Sequence, residues 1–265
     1  MTVTQAIILG LVQGITEFLP ISSSGFLILV PKVFGWEVQS LAFDAFLHIA
    51  TLVAIVTILW SEVRAMTIAL LIPSKDEVAM AWRQLAIWIA LATIPVLLVG
   101  FLFQVVFRIE FRSVEIVAWS FIVWGSVLYF VDRRTKETKD RPQGVGLKRA
   151  ILIGLAQMIA IIPGTSRSGI TMTAGLATGL SRETAARFSF LLSIPTIAAA
   201  GFFGLGSVVR GDETIAFLPL TAGFAVAMIS AFITVRFLLQ FLKRYSFSKL
   251  AIFRVFVGVV ILLLL

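Results

Sequence analysis

Along this chain long apolar runs alternate with short polar connectors, and no barrel-like alternation of apolar and polar positions appears. The runs Ile87 to Val106 and Val114 to Val131 are each long enough to cross a hydrocarbon core as a helix. Spans are predicted near 42–60, 83–107, 113–131, 184–207, 215–236 and 250–265. Two further apolar segments, about 4–30 and 148–179, are interrupted near their middles by proline, glycine and hydroxyl residues. Each reads as a broken hairpin rather than a crossing. The expected fold is an all-α polytopic membrane protein with two re-entrant helical hairpins and about six transmembrane helices. Open sheet edges cannot sit in lipid, so strands have no place in such a chain.

The two broken segments repeat each other. Gly10 to Gly25 reads GLVQGITEFLPISSSG, and Gly154 to Gly169 reads GLAQMIAIIPGTSRSG. Gln13 falls on Gln157, Ser22 on Ser166, Ser24 on Ser168 and Gly25 on Gly169, while the prolines slip by one. A weaker echo relates Phe46–Thr51 (FLHIAT) to Leu191–Thr196 (LLSIPT). Three crossings per half make the second half enter from the opposite face. The expectation is one integral membrane domain over 1–265, built as an inverted repeat of about 1–131 and 148–265. A solvated polar connector, 132–147, joins the halves. Paired broken segments in corresponding halves point to a membrane site at the repeat interface.

Charge then sets orientation. One face carries Arg64, Lys75, Arg83, the basic residues from Arg133 to Arg149, and Arg182, Arg187, Arg236, Lys243, Arg244 and Lys249. The other carries Lys32, Arg108, Arg112 and Arg210. This bias makes the first face cytoplasmic and puts both termini outside. The net charge of +8 lies mostly in these connectors, so it reports orientation and does not argue for a nucleic-acid partner. The first segment lacks a basic lead and is not read as a cleaved signal. With no cysteine and a single histidine among residues that are 59% hydrophobic, thiol chemistry, disulfides and a His-rich metal cage are excluded.

Candidate chemistry gathers in the two breaks. Glu17 stands four residues after Gln13, on the same helix face. A carboxylate at membrane depth costs about 3 kcal/mol on insertion scales, so it faces a cavity or a partner. The plainer reading is a Glu that caps the hairpin tip or pairs with a basic residue. Pro20 stops the first helix, and Ser22, Ser23 and Ser24 sit at the start of the next. Such hydroxyls are ordinarily an N-cap. Beside Glu17 and opposite an arginine they also read as an anion site. In the second break, Gly164 permits close backbone approach, and Ser166, Ser168 and Thr171 supply hydroxyls. Arg167 supplies a planar fork that matches phosphate geometry, at a helix start rich in free amides. Arg167 could equally serve to neutralise Glu17, and both roles hold if the pair brackets a metal-bound phosphate. His48 is the only imidazole; a lone histidine on an apolar helix is ordinarily a satisfied interior residue, and it is kept as an auxiliary candidate.

At these two motifs the chain resembles the bacterial undecaprenyl-pyrophosphate phosphatase family, also known as the bacitracin-resistance type, over essentially its whole length. The family's Glu/Gln-x-x-x-Glu motif leading into Pro-x-Ser-Ser-x-Gly stands here as Gln13 to Gly25. Its Pro-Gly-x-Ser-Arg-Ser-x-x-Thr motif stands as Pro163 to Thr171. The resemblance implies removal of the terminal phosphate from a C55 polyprenyl diphosphate, regenerating the lipid carrier for cell-wall glycan export. It implies the bacterial cytoplasmic membrane, a site open to the outer face, and dependence on a divalent cation, Mg2+ or Ca2+. It also implies roles: Glu17 as the essential acid near the metal with Gln13 beside it, Ser23 as nucleophile or phosphate ligand, and Arg167 as phosphate clamp. Ser22, Ser24, Gly164, Ser166, Ser168 and Thr171 would surround the phosphates, with the isoprenoid tail left in lipid along a hydrophobic groove. Oligomeric state stays open, a homodimer included.

One position departs from the family pattern. A histidine usually follows the turn glycine, and this chain has Phe26, which takes no proton. Glu17 or a metal-bound water then serves as base, or His48 substitutes from the neighbouring span, or activity is impaired. A rival reading from another class is an inverted-repeat secondary transporter or lipid flippase, with Glu17 as coupling proton site.

Overall fold

The computed structural model describes residues 1–103, 113–136, 140–204 and 216–265. Among them the chain is helical with no strand. Arg108, Arg112, Arg210, Lys139 and the far end of the span expected near 83–107 lie outside the described residues. In the first half the helices are α1 (Val3–Thr16), α2 (Ser23–Phe34), α3 (Leu41–Ile58), α4 (Trp60–Leu71), α5 (Glu77–Phe101) and α6 (Val114–Arg134). In the second they are α7 (Leu147–Gln157), α8 (Arg167–Ala177), α9 (Arg182–Gly204), α10 (Phe217–Phe241) and α11 (Ser248–Leu264).

Local chemistry explains the boundaries. Thr2 opens α1 with a reciprocal capping box to Gln5, and Ser40, Asp76 and Ser113 cap α3, α5 and α6 through their side chains. α3, α5, α6, α9 and α10 are long and apolar enough to cross a bilayer, which makes this a multi-pass membrane protein. The sixth expected span is α11, a helix of 17 residues that falls short of that group. One helix was not expected. The stretch after α3 is more than a connector: Trp60 to Leu71 contains no breaker and coils as α4 until Ile72 turns extended ahead of Pro73.

The two broken segments fold as pairs of half-helices, α1/α2 and α7/α8. Each leading half-helix lies along a long helix of the opposite half: α1 on α10 and α7 on α5. α3 packs on α9 and α6 on α11, so the pairings persist when corresponding elements of the halves are exchanged. Two matching glycines make the close approaches. A Cβ on Gly10 would stand 2.4 Å from the Gly223 carbonyl of α10, and one on Gly154 would stand 2.4 Å from the Ala92 carbonyl of α5. Small residues at such crossings are the usual way helices pack in lipid, where no hydrophobic drive pushes them together. Ile7, Leu11 and Ile15 follow one another at single-turn spacing on the exposed face of α1.

The polar connector is more tightly held than its composition implies. Asp132, fully buried at the end of α6, accepts from Arg182 Nε (2.7 Å), Ser248 Oγ (2.7 Å) and the Ser248 amide (3.0 Å). Asp140 accepts from the Ser181 amide, and its carbonyl from Thr184 Oγ1. Asp132 thereby ties α6, α9 and α11 together at the start of the connector, because a buried carboxylate needs such partners, while Arg133, Arg134, Lys136 and Arg141 beyond it are exposed.

Candidate functional site

The half-helices are too short to cross a membrane. Fourteen residues of α1 rise about 21 Å, against a hydrocarbon core of about 30 Å. Their inner ends meet, and the two breaks are tied directly, since Ser168 Oγ donates to the Leu19 carbonyl (2.9 Å).

Both breaks use the same local device. Ser22 and Ser166 are the two non-glycine residues with positive φ among the described residues, at 79° and 68°. Each then caps the following helix: Ser22 Oγ accepts from the Gly25 amide and Ser166 Oγ from the Gly169 amide. Ser24 Oγ and Ser168 Oγ lie 3.2 Å and 3.1 Å from their respective capping hydroxyls. Backbone held in such a region costs about 1–3 kcal/mol per residue and persists where the surroundings over-determine it. Gly164 also has positive φ (85°), and a Cβ there would meet the Val117 carbonyl at 2.8 Å.

This device puts the next residue of each segment at the first position of a helix. In α2 that residue is Ser23, and in α8 it is Arg167. Both reach the same carboxylate. Ser23 Oγ donates to Glu17 Oε2 (2.5 Å), and Arg167 Nη2 donates to Glu17 Oε1 (2.9 Å). Gln13 Nε2 donates to Oε2 as well (3.0 Å), as the spacing of four predicts. Glu17 is the C-cap of α1 and its side chain is 5% exposed. The plainer reading, a Glu paired with a basic residue, is realised here, and it is Ser23 among the expected hydroxyls that joins the pair.

His48 joins it. Its Nε2 lies 3.5 Å from Glu17 Oε2, while Nδ1 lies 2.7 Å from the Asp44 carbonyl one turn back on α3. That contact turns Nε2 to the carboxylate. Phe26 packs its ring on Phe121, with centroids 5.4 Å apart, so the departure from the family pattern is filled by apolar packing. The imidazole of this site comes from α3 instead.

The other expected hydroxyls make hydrogen bonds within the protein. Thr171 Oγ1 is engaged with the carbonyls of Arg167 and Ser168 and with Ser189 Oγ (2.7 Å). Ser168 Oγ donates to the Leu19 carbonyl, and Ser22 Oγ and Ser166 Oγ accept the capping amides. Ser24 is exposed. In the second half Ile161 stands where Glu17 stands in the first, so the repeat carries the acid once.

Arg254 escaped the sequence reading. It is buried in α11, and its Nη2 donates to the carbonyls of Gly164 (2.5 Å), Thr165 (2.6 Å) and Ser120 (3.2 Å). It thereby holds the loop that launches Arg167. The available signal was an arginine inside the last apolar segment, a costly placement at membrane depth.

The expected cation seat meets these residues poorly. Glu17 has both oxygens engaged and a guanidinium at 2.9 Å, which repels a second cation. Gln13 Oε1 is a buried acceptor with no partner, but no group of three His, Asp or Glu converges among the described residues. A hard cation needs about six oxygens, so the Gln13–Glu17 pair does not make a cation cage.

Comparison with known proteins bears on this geometry. The family described as "Bacitracin resistance protein BacA" matches residues 6–260. The chain is 42% identical to the undecaprenyl-diphosphatase of Pelotomaculum thermopropionicum, covering 100% of this chain and 97% of that protein. It is 40% identical to the undecaprenyl-diphosphatase of Alteromonas mediterranea, over 99% of this chain and 98% of that one. It is also 42% identical to the protein of the same name from Colwellia psychrerythraea, over 98% and 97%.

Proposed function

Because the chain belongs to the bacitracin resistance protein BacA family, we propose that it hydrolyses undecaprenyl diphosphate at the membrane, releasing phosphate and leaving undecaprenyl phosphate. The observation that carries the chemistry is the convergence of Ser23 and Arg167, each the first residue of its helix, on Glu17. A diphosphate at this point meets a hydroxyl, a guanidinium fork and two helix starts. Anions are favoured at helix N-termini, and arginine matches phosphate oxygens in geometry and charge.

In this reading Ser23 Oγ attacks the terminal phosphorus, its proton passes to Glu17 Oε2, and the polyprenyl monophosphate leaves. Water then releases the phosphate from the serine by the same route. Phosphoryl transfer passes through a loose transition state, so positioning and charge stabilisation outweigh the strength of the base. Arg167 supplies that stabilisation, and Glu17 orients both partners while it accepts the proton. His48 stands beside the same carboxylate oxygen, within reach of the proton as it moves. The expected divalent cation enters this proposal as the counter-ion of the diphosphate, carried on substrate oxygens and not on a protein cage.

The proposal puts the site toward the outer face of the cytoplasmic membrane, with both termini outside. The charge bias supports this orientation, and the exchanged helix pairings support an inverted repeat. The transporter reading draws on the same architecture, but the relatives at 40–42% identity carry the phosphatase name. The test is serine-specific. Ser23→Ala abolishes phosphate release from purified protein, whereas Ser24→Ala, one residue along and exposed, stays close to the parent. Retained release in Ser23→Ala removes the serine from the mechanism.

A further inference from the structure

Two hydroxyls of α9 bond inside their own helix, and a third does not. Ser193 Oγ donates to the Phe190 carbonyl (2.6 Å) and Thr196 Oγ1 to the Leu192 carbonyl (2.9 Å), the usual habit of such residues on a helix. Ser189, one turn before Ser193 and buried, instead meets Thr171 Oγ1 of α8 at 2.7 Å.

A count of hydrogens sets the direction of this contact. Thr171 has one hydroxyl hydrogen, and its neighbouring carbonyls, of Arg167 (2.9 Å) and Ser168 (3.2 Å), only accept. Thr171 therefore donates to the backbone at the start of α8, which leaves its oxygen to accept from Ser189. The Ser189 carbonyl touches the other end of Arg167, with Nη1 at 3.5 Å, the long end for such a bond. Ser189 thus bears on Arg167 twice, at the backbone and at the guanidinium whose Nη2 lies on Glu17.

The repeat gives this position a counterpart. The register that puts Phe46–Thr51 on Leu191–Thr196 puts Asp44 on Ser189. The Asp44 carbonyl meets His48 Nδ1 (2.7 Å), as the Ser189 carbonyl meets Arg167. Corresponding points of α3 and α9 hold the two basic side chains that flank Glu17.

Resting on the phosphatase reading above, we propose that Ser189 is a positioning residue for the reaction, fixing the angle at which Arg167 presents its fork to the terminal phosphate. A group that carries transition-state charge is effective when its donors are aimed before the reaction. Ser189 acts only through Arg167 and Thr171. Ser189→Ala keeps the carbonyl and removes the hydroxyl link, so Arg167 keeps its charge and loses part of its aim.

The experiment measures orthovanadate, a mimic of the transferring phosphoryl group, as inhibitor of C55 diphosphate hydrolysis by purified parent, Ser189→Ala and Ser193→Ala. An inhibition constant does not depend on how much of the enzyme is folded, so a merely structural loss leaves it unmoved. Ser189→Ala is expected to raise this constant and lower kcat together, by about fivefold or more, the order of one hydrogen bond. KM stays near the parent, and Ser193→Ala behaves as the parent. An unchanged constant in Ser189→Ala, or an equal rise in Ser193→Ala, overturns the assignment. Thr171→Val cuts the same link from its other end. Its loss and that of Ser189→Ala are expected not to multiply in the double variant, since both break one chain of bonds; fully multiplied losses overturn the proposal. If the parent releases no phosphate, the phosphatase reading fails, and this one with it.

Discussion

At the residue scale the account turns on one carboxylate with several partners. Glu17→Gln keeps the shape but removes the charge that orients Arg167 and accepts from Ser23. It is expected to lower kcat by at least about a hundredfold, the order found when one preorganised charge contact of a transition state is lost. His48→Ala is expected to lower kcat about tenfold or more while KM stays near the parent, since general acid–base partners contribute at that scale or above. Phe26→Leu is expected to leave activity close to the parent, because Phe26 packs on Phe121. Steady-state phosphate release separates these cases, and a crippled Phe26→Leu would return position 26 to the chemistry. Glu17, Ser23 and Arg167 were legible in the sequence because a broken apolar segment advertises its polar residues. The division of labour among the hydroxyls was not. Whether Ser168 faces a phosphate or the Leu19 carbonyl depends on how two loops distant in sequence meet.

At the scale of elements, short helices had to be brought together and held. Gly10 and Gly154 let α1 and α7 settle against α10 and α5. Gly154→Val is expected to force the Ala92 carbonyl away and destabilise the fold by about 1–3 kcal/mol, the range for overpacking. A thermal melt in detergent reads this as a lowered Tm, and an unchanged Tm would place the glycine elsewhere. Arg254 has the complementary duty. Arg254→Met leaves the Gly164 and Thr165 carbonyls without that donor, at about 1–3 kcal/mol for each buried group left unsatisfied. It also frees the loop before Arg167. The hairpins were readable because proline, glycine and serine interrupt an apolar run at matching places. α4 was not, since a polar-flanked stretch reads the same as coil or helix until its packing on α5 is known.

At the scale of the molecule, two halves related in sequence meet so that one contributes the acid and a serine, and the other contributes the arginine. The span pattern and the pairing of the breaks were visible from hydropathy and repetition alone. The anchoring of the connector by Asp132 and Asp140 was not, because it depends on partners far along the chain. Orientation is directly testable in a chain with no cysteine. Glu37→Cys is expected to react with an impermeant thiol reagent from outside intact cells, and Lys136→Cys only after permeabilisation. The reverse pattern would invert the proposed topology.

The central claim is that a Glu17-centred cluster, shared between the halves, splits a polyprenyl diphosphate. The most direct measurement is phosphate release from C55 polyprenyl diphosphate by the purified protein, with Mg2+ or Ca2+ present, beside Arg167→Ala of matched Tm. Release by the parent and its loss in the variant is the predicted result. Equal release by both, or none by the parent under any cation, would contradict the account.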